Sequence, residues 1–537
     1  MLEFLALALL APALFAQQVT ETIEVRVVSV EVIVTDAEGK RVIGLTKDDF
    51  EIFEENKPQT ITNFYEVREG ASVAADAAVA PAPPRHFIFF LDNESLHPTN
   101  RKLLTNAIRR FVDQELRPED FASVVAWNRS LKVLSRSTND KTALRKALVE
   151  TDKLGAPAAV ATDLARVQQH CNRALERART GQVPVAHAYE DCINTARGEM
   201  MATALHSRQL LNAMELTMMT VAGAEGRKVL VLAGARLPKS PGVEIYQWAN
   251  HLFTPFMGGF DAPTRRPDQD DEQLEFLEKV ALAANAHGVT LYTIGATISP
   301  DVNTAGNKNA VDDLGATFLN QVNTFDSYET LSSMTGGATF KRPADFDATL
   351  ASIGAETEAY YSLGYRPRET TGGHKAVVVR TKNKDLKTRT RETRALKSAD
   401  EQMTDRVIAN LYVPAAASPW KMQIATGNLE KAGGNFKIPF EVTIPADNLT
   451  LLPNGTMRTG GYTVYVAVGS PQGALSTVFR QPQKIEIAAA EEAAFRKEPL
   501  TFGGTLTLRP GENILSIGVV DHYGGTTAFG RTTITAR

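Results

Sequence analysis

The residues best suited to chemistry gather at the end of one apolar run. His86-Phe-Ile-Phe-Phe-Leu-Asp92 reads as a buried parallel strand finishing on a carboxylate, with Asn93 and Glu94 directly after it. Doubly wound α/β sheets hold their ligands just beyond the carboxyl ends of such strands. His206 belongs to a later segment that can return to the same rim, and His97 follows Glu94 closely. Two carboxylates joined by His97 and His206 would form a metal-binding set. The simpler reading is that these loop histidines are only polar.

Other reactive patterns are missing or plain. The chain has no Gly-x-Ser-x-Gly turn, no His-Glu-x-x-His and no Gly-x-x-x-x-Gly-Lys, so no catalytic residues are expected. Asp268-Gln-Asp-Asp-Glu272 lacks the glycine and ligand spacing of a calcium loop and reads as acids at a helix start. In Arg380 to Arg391, the residues Arg380, Lys382 and Lys384, then Lys387, Arg389 and Arg391, fall on strand faces. They read as a solvated edge whose charges deter sheet-to-sheet pairing, with polyanion binding as the alternative.

The elements that must position these residues change texture along the chain. Residues 17–70 alternate at period two (Ile23, Val25, Val27, then Val30, Val32, Val34) and predict a small antiparallel β-segment. Residues 71–84 are Ala/Pro-rich and read as a linker. Across 85–360, apolar strands alternate with helical periodicity, which predicts a doubly wound, Rossmann-like α/β domain. Residues 361–397 return to strands. Each β flank has too few strands alone, so the two are expected to build one β-domain with the α/β domain inserted. Residues 398–418 read as a linker, and 419–537 as an immunoglobulin- or fibronectin-like β-sandwich.

The two cysteines mark an insertion. Leu164, Val167, Cys171, Leu175 and Ala178 share one helical stripe, and Tyr189, Cys192, Ala196 and Met200 share another, with Gly181 and Pro184 between. The spacing predicts a helical hairpin over 154–201 whose stripes meet at Cys171 and Cys192. A disulfide is expected in an oxidising compartment, with two buried thiols as the alternative. Because the hairpin precedes Thr203, it should project from the ligand-facing rim.

Met1 to Ala16 is apolar but too short to span a bilayer, and it reads as a signal peptide cleaved before Gln17. A buried N-terminal helix is the alternative. The mature chain is expected to be exported, to the periplasm, cell surface or medium, without a transmembrane segment. A length of 537 residues implies several domains. Lys plus Arg number 58 against 62 for Asp plus Glu, a balance of −4 that gives no global pull toward nucleic acid.

His86 to Asp92, Thr203-Ala-Leu ahead of Gly226-Arg-Lys-Val-Leu-Val-Leu, and Leu331 to Phe340 together resemble a von Willebrand factor type A domain. Val34 to Phe50 and Tyr361-Ser-Leu-Gly-Tyr-Arg-Pro367 resemble the flanks of the exported Acidobacteria-type family related to it. The resemblance implies an adhesion site built from Asp-x-Ser-x-Ser, a later Thr and an Asp after the fourth strand. That set holds Mg²⁺ and leaves a position open for a partner carboxylate. Asp92 matches the first Asp and Thr203 the Thr. Glu94 and Leu96 stand at the Ser positions, and Ala233-Gly234-Ala235 offers no carboxylate. No metal or other cofactor is therefore expected, with Mg²⁺ binding as the alternative, and Asp92, Glu94 and Thr203 read as remnants of a degenerate site.

The function expected is that of an exported, non-enzymatic adhesion-type protein. It would bind an unidentified protein or envelope partner at the rim formed by Asp92, Asn93, Glu94, Thr203 and His206. An envelope structural component and a hydrolase of envelope polymers are the alternatives.

Overall fold

The computed structural model describes residues 28–68, 71–74, 80–81, 83–154, 159–256, 267–297, 323–367, 373–413, 420–471 and 473–537. The signal-peptide reading of residues 1–16 lies outside them. The chain is multidomain, mixing helices with several β-sheets and ending in a β-rich region.

The N-terminal flank supplies β1 (Val28–Thr35), β2 (Phe50–Glu54), β3 (Lys57–Gln59) and β4 (Ile61–Arg68). Residues 71–84, expected as linker, instead contain β5 (Ala71–Ala74) and β6 (Ala80–Pro81). Both extend the sheet antiparallel from β4. An edge strand offers unpaired N–H and C=O groups, so a neighbouring segment can join it without apolar periodicity.

The central unit runs through β7 (Arg85–Asp92), α1 (Pro98–Gln114), β8 (Phe121–Trp127), β9 (Leu131–Thr138), α2 (Lys141–Lys153), α3 (Ala159–Arg179) and α4 (Val185–Met219). It continues with β10 (Arg227–Gly234), α5 (Val243–Phe253), α6 (Pro267–His287), β11 (Val289–Gly295), β12 (Thr339–Lys341) and α7 (Phe346–Glu358). Its sheet has the order β12-β11-β10-β7-β8-β9, parallel throughout except for β9 at one edge. Chain order reverses between β7 and β10, so the switch point of this doubly wound sheet falls beside Asp92. The unbroken apolar run of β7 has a direct cause. Phe87, Phe89 and Leu91 pack in the core under α1 and α7, while Ile88 and Phe90 pack in the core under α4 and α6. Each such buried side chain contributes about 1.5–3 kcal/mol.

The returning flank forms β13 (Tyr360–Tyr365), β14 (His374–Thr381), β15 (Lys387–Arg389) and β16 (Thr393–Ala395). β13 lies antiparallel between β1 and β4, and β14 pairs with β2. Val32, Ile52, Tyr361, Leu363 and Val379 share one core across the two flanks. Arg394 Nε donates to Glu54 Oε2 at 2.5 Å, and the Tyr365 hydroxyl donates to the same oxygen at 2.5 Å.

The basic run is not a uniform solvated edge. Lys382 and Lys384 lie in the turn after β14. Arg389 is paired with Glu356 of α7, and Arg391 bonds the Gly288 carbonyl at 2.9 Å and Glu31 at 3.2 Å. The Arg389–Glu356 and Arg391–Gly288 contacts fasten the β-unit to the α/β unit, while Glu31 of β1 pairs with Arg391 inside the β-unit.

Residues 398–418, also expected as linker, contain α8 (Ala399–Tyr412). Ser398 and Glu401 form a reciprocal capping box at its start, a signature present in the sequence. Met403, Val407 and Leu411 pack with Tyr465, Ala467 and Ile514 of the C-terminal region. That region holds a four-stranded and a five-stranded antiparallel sheet around a core including Trp420, Val442, Val464, Leu515 and Ile517. No helix among the described residues is long and apolar enough to cross a membrane.

Candidate functional site at the switch point

β7 delivers Asp92 to the rim fully buried. Its Oδ2 accepts a hydrogen bond from Ser95 Oγ at 2.5 Å. Ser95 Oγ accepts in turn from the Ala235 backbone N–H at 2.9 Å, which ties the end of β7 to the end of β10. Gly234 permits this closeness, since a Cβ there would stand 2.7 Å from the Tyr328 hydroxyl and 3.0 Å from Asp92 Cβ.

His206 reaches the same place from α4. Its Nδ1 lies 3.3 Å from Glu94 Oε2, and its Nε2 lies 3.8 Å from Asp92 Oδ2. Both contacts act as ion pairs through charge, and the second is too long for a hydrogen bond. Burial favours the neutral ring, but the two carboxylates outweigh it and push the His206 pKa up to about 9. His206 is therefore an imidazolium at neutral pH. Its bond to Glu94 holds that carboxyl below the usual range against burial. Glu94 also accepts from the Arg129 backbone N–H at 3.3 Å. The indole of Trp127 meets the imidazole edge-on, with ring centroids 6.2 Å apart. Burial, reinforced by the charge of Asp92, raises the Tyr328 hydroxyl well above its ordinary value.

Thr203 is 2% exposed, and its hydroxyl accepts from the Arg236 guanidinium, which also pairs with Glu199 at 3.2 Å. Asn93 Oδ1 accepts from Arg101 Nη1 at 2.9 Å. Leu96 is 1% exposed inside the core under α1. His97 does not join Asp92 and Glu94 in a metal set. It caps α1, with its Nδ1 accepting from the Thr99 N–H at 3.3 Å.

The donors present do not fit a divalent ion. One Asp92 oxygen is bonded to Ser95 and faces a protonated histidine, Thr203 is held by Arg236, and Leu96 has no donor. The end of β10, Ala233-Gly234-Ala235, offers no carboxylate, and Arg236 directly after it brings a guanidinium to Thr203. Among the described residues no group of three or more His, Cys, Asp and Glu could hold a metal ion.

The structure thus brings together Asp92, Glu94 and His206, and it sets Asn93 and Thr203 beside them on arginine partners. Sequence reasoning missed Ser95, Arg236 and Tyr328. Ser95 was visible inside the Asp-x-Ser-x-Ser window but one position out of phase, and Arg236 follows Ala235 directly.

The hairpin packs beside this site. Cys171 and Cys192 form the expected disulfide, with Cα atoms 4.7 Å apart and both residues fully buried. Val167, Leu175, Ile193 and Ala196 share their core, which Ala249 and Phe253 of α5 complete. The hairpin's second arm does not stop at residue 201. α4 is one helix of 35 residues that carries Glu199, Thr203 and His206 as well as Cys192. Its apolar positions continue through Leu210 and Met214 into the core of the sheet, so no turn is needed.

No family model matches the chain, and no curated protein matches it. Among solved structures it is similar to three N-terminal domains of the type V pili tip protein Mfa5 from Porphyromonas gingivalis, at 10% identity. That likeness covers 75% of this chain and 76% of that one, with a TM-score of 0.26. It is also similar to the conserved hypothetical protein BatB from Bacteroides thetaiotaomicron, at 9% identity, covering 51% and 96%, with a TM-score of 0.24. Likenesses at these scores carry no argument about fold or function.

Proposed function

We propose that the chain is an exported, non-enzymatic binding protein of the von Willebrand type A kind, followed by an immunoglobulin-like sandwich, and that it engages a partner at this rim without a divalent ion. The carrying observation is His206 lying between Asp92 and Glu94. An ion-dependent rim uses the metal both to neutralise its carboxylates and to attract a partner carboxylate. Here a fixed imidazolium does the neutralising, so recognition falls to the shape and hydrogen bonds of the rim and the hairpin. The doubly wound sheet and the position of Asp92 at its switch point support the type-A reading. The disulfide supports export to an oxidising compartment.

Affinity capture from envelope extract, repeated with EDTA, tests the reading. Capture of the same partner at equal yield is expected with and without chelator. Calorimetric titration with millimolar Mg²⁺ is expected to give no heat of binding. Replacing residues 160–192 with a short turn is expected to abolish capture. A partner released by EDTA, or one held unchanged after loss of the hairpin, would sink the proposal.

A further inference from the structure

Next to Thr203, the outer face of α4 borders a second feature. A cleft of about 280 Å³ opens between α4, the segment after β10 and the start of α6, with Met200, Met201, Leu205, Arg208, Pro241 and Gln273 among its walls. Met201 and Leu205 lie one helical turn apart and are each 56% exposed, an apolar pair that no described residue buries. Gln273 is only 2% exposed, and neither its Nε2 nor its Oε1 has a hydrogen-bond partner among the described residues. A buried amide with both ends unmet is disfavoured, and such groups in a folded protein call for an explanation.

We infer that this cleft is a peptide-anchoring site, taking one apolar side chain of the partner together with the backbone amide beside it. The inference rests on the rim-binding reading above and names the partner chemistry at one part of that rim. A primary carboxamide carries donors and an acceptor in one plane, which complements the N–H and C=O of a peptide group. Methionine side chains are unbranched and adaptable, so Met200 and Met201 can reshape the cleft wall around an incoming apolar group. Arg208, stacked over Phe276 at 5.1 Å, adds a positively charged wall. Small-molecule sites occupy about 300–1,000 Å³, so a cleft of about 280 Å³, just below that range, suits a single anchoring residue. Interfaces commonly concentrate their binding energy in such anchors.

The test uses random decapeptides displayed on phage, selected against the intact chain and then synthesised. Enriched peptides should share an apolar residue and bind the Leu205→Ser and Gln273→Leu variants at least tenfold more weakly. Leu216→Ser serves as the control, because Leu216 is 58% exposed on the same helix but is not a wall of the cleft. It should bind as the parent does. Gln273→Leu should keep or raise Tm, since it removes the unmet amide. No enrichment, or equal affinity for all variants, would overturn the inference. Peptides weakened by Asp92→Asn but unaffected by Gln273→Leu and Leu205→Ser would also overturn it, while leaving the rim reading intact.

Discussion

At His206, a side chain that would ordinarily titrate near 6.5 is held charged by two carboxylates it cannot escape. Because its folded pKa lies above its unfolded value, its stabilising contribution is complete below about pH 6.5. The contribution shrinks as pH rises and is gone once pH passes about 9. Thermal unfolding followed from pH 6 to pH 10 should show a falling Tm that flattens in His206→Leu. That variant should also lose roughly 3 kcal/mol at pH 7, since it leaves Asp92 and Glu94 without their cation. NMR titration of the imidazole C–H signals would locate the pKa directly. Arg236→Met is expected to cost about 2 kcal/mol in urea unfolding, because Glu199 and the Thr203 hydroxyl lose their shared donor. The acid at the end of β7 was legible from the apolar run before it. Ser95 and Arg236 were not, because a hydrogen-bond partner one residue out of phase becomes visible only once the turn has a shape.

At the scale of the element, the hairpin is held twice, by a disulfide and by the core it shares with α5. Cys171→Ser with Cys192→Ser should lower unfolding stability by about 3 kcal/mol on chain-entropy grounds, read as a drop in denaturant midpoint. The packing of Val167, Leu175 and Ile193 would remain. Helical spacing around both cysteines made the staple legible. The length of α4 is harder to read from sequence, because the stripe carrying Cys192 closes at Met200 and nothing local shows that Thr203 continues the same helix. A helix has no reason to break where its next apolar residues already have a core to enter. The same blindness turned residues 399–412 into an expected linker, although Ser398 and Glu401 announced a helix start.

For the whole molecule, the decisive contacts join parts that are distant in sequence. β13 is the middle strand between β1 and β4, so a chain ending at residue 360 would leave both without it. Trypsin should then cut within residues 28–68 under conditions where the full chain resists, while peptides from β7 and β10 stay protected. Resistance of residues 28–68 in the truncated chain would show that the flank folds alone. The shortage of strands in each flank was legible, whereas their register depends on facing side chains such as Val32 and Tyr361.

By itself the sequence determined the alternation of strands and helices, the buried run ending at Asp92 and the helical stripes carrying both cysteines. Each of these follows from periodicity and burial within a short window. Tertiary structure alone decided that His206 would stand between Asp92 and Glu94, that Arg236 would take Thr203, and that Arg389 and Arg391 would clasp a neighbouring domain. Those outcomes depend on distances between segments far apart in the chain, and charge finds its partner only after packing has fixed those distances.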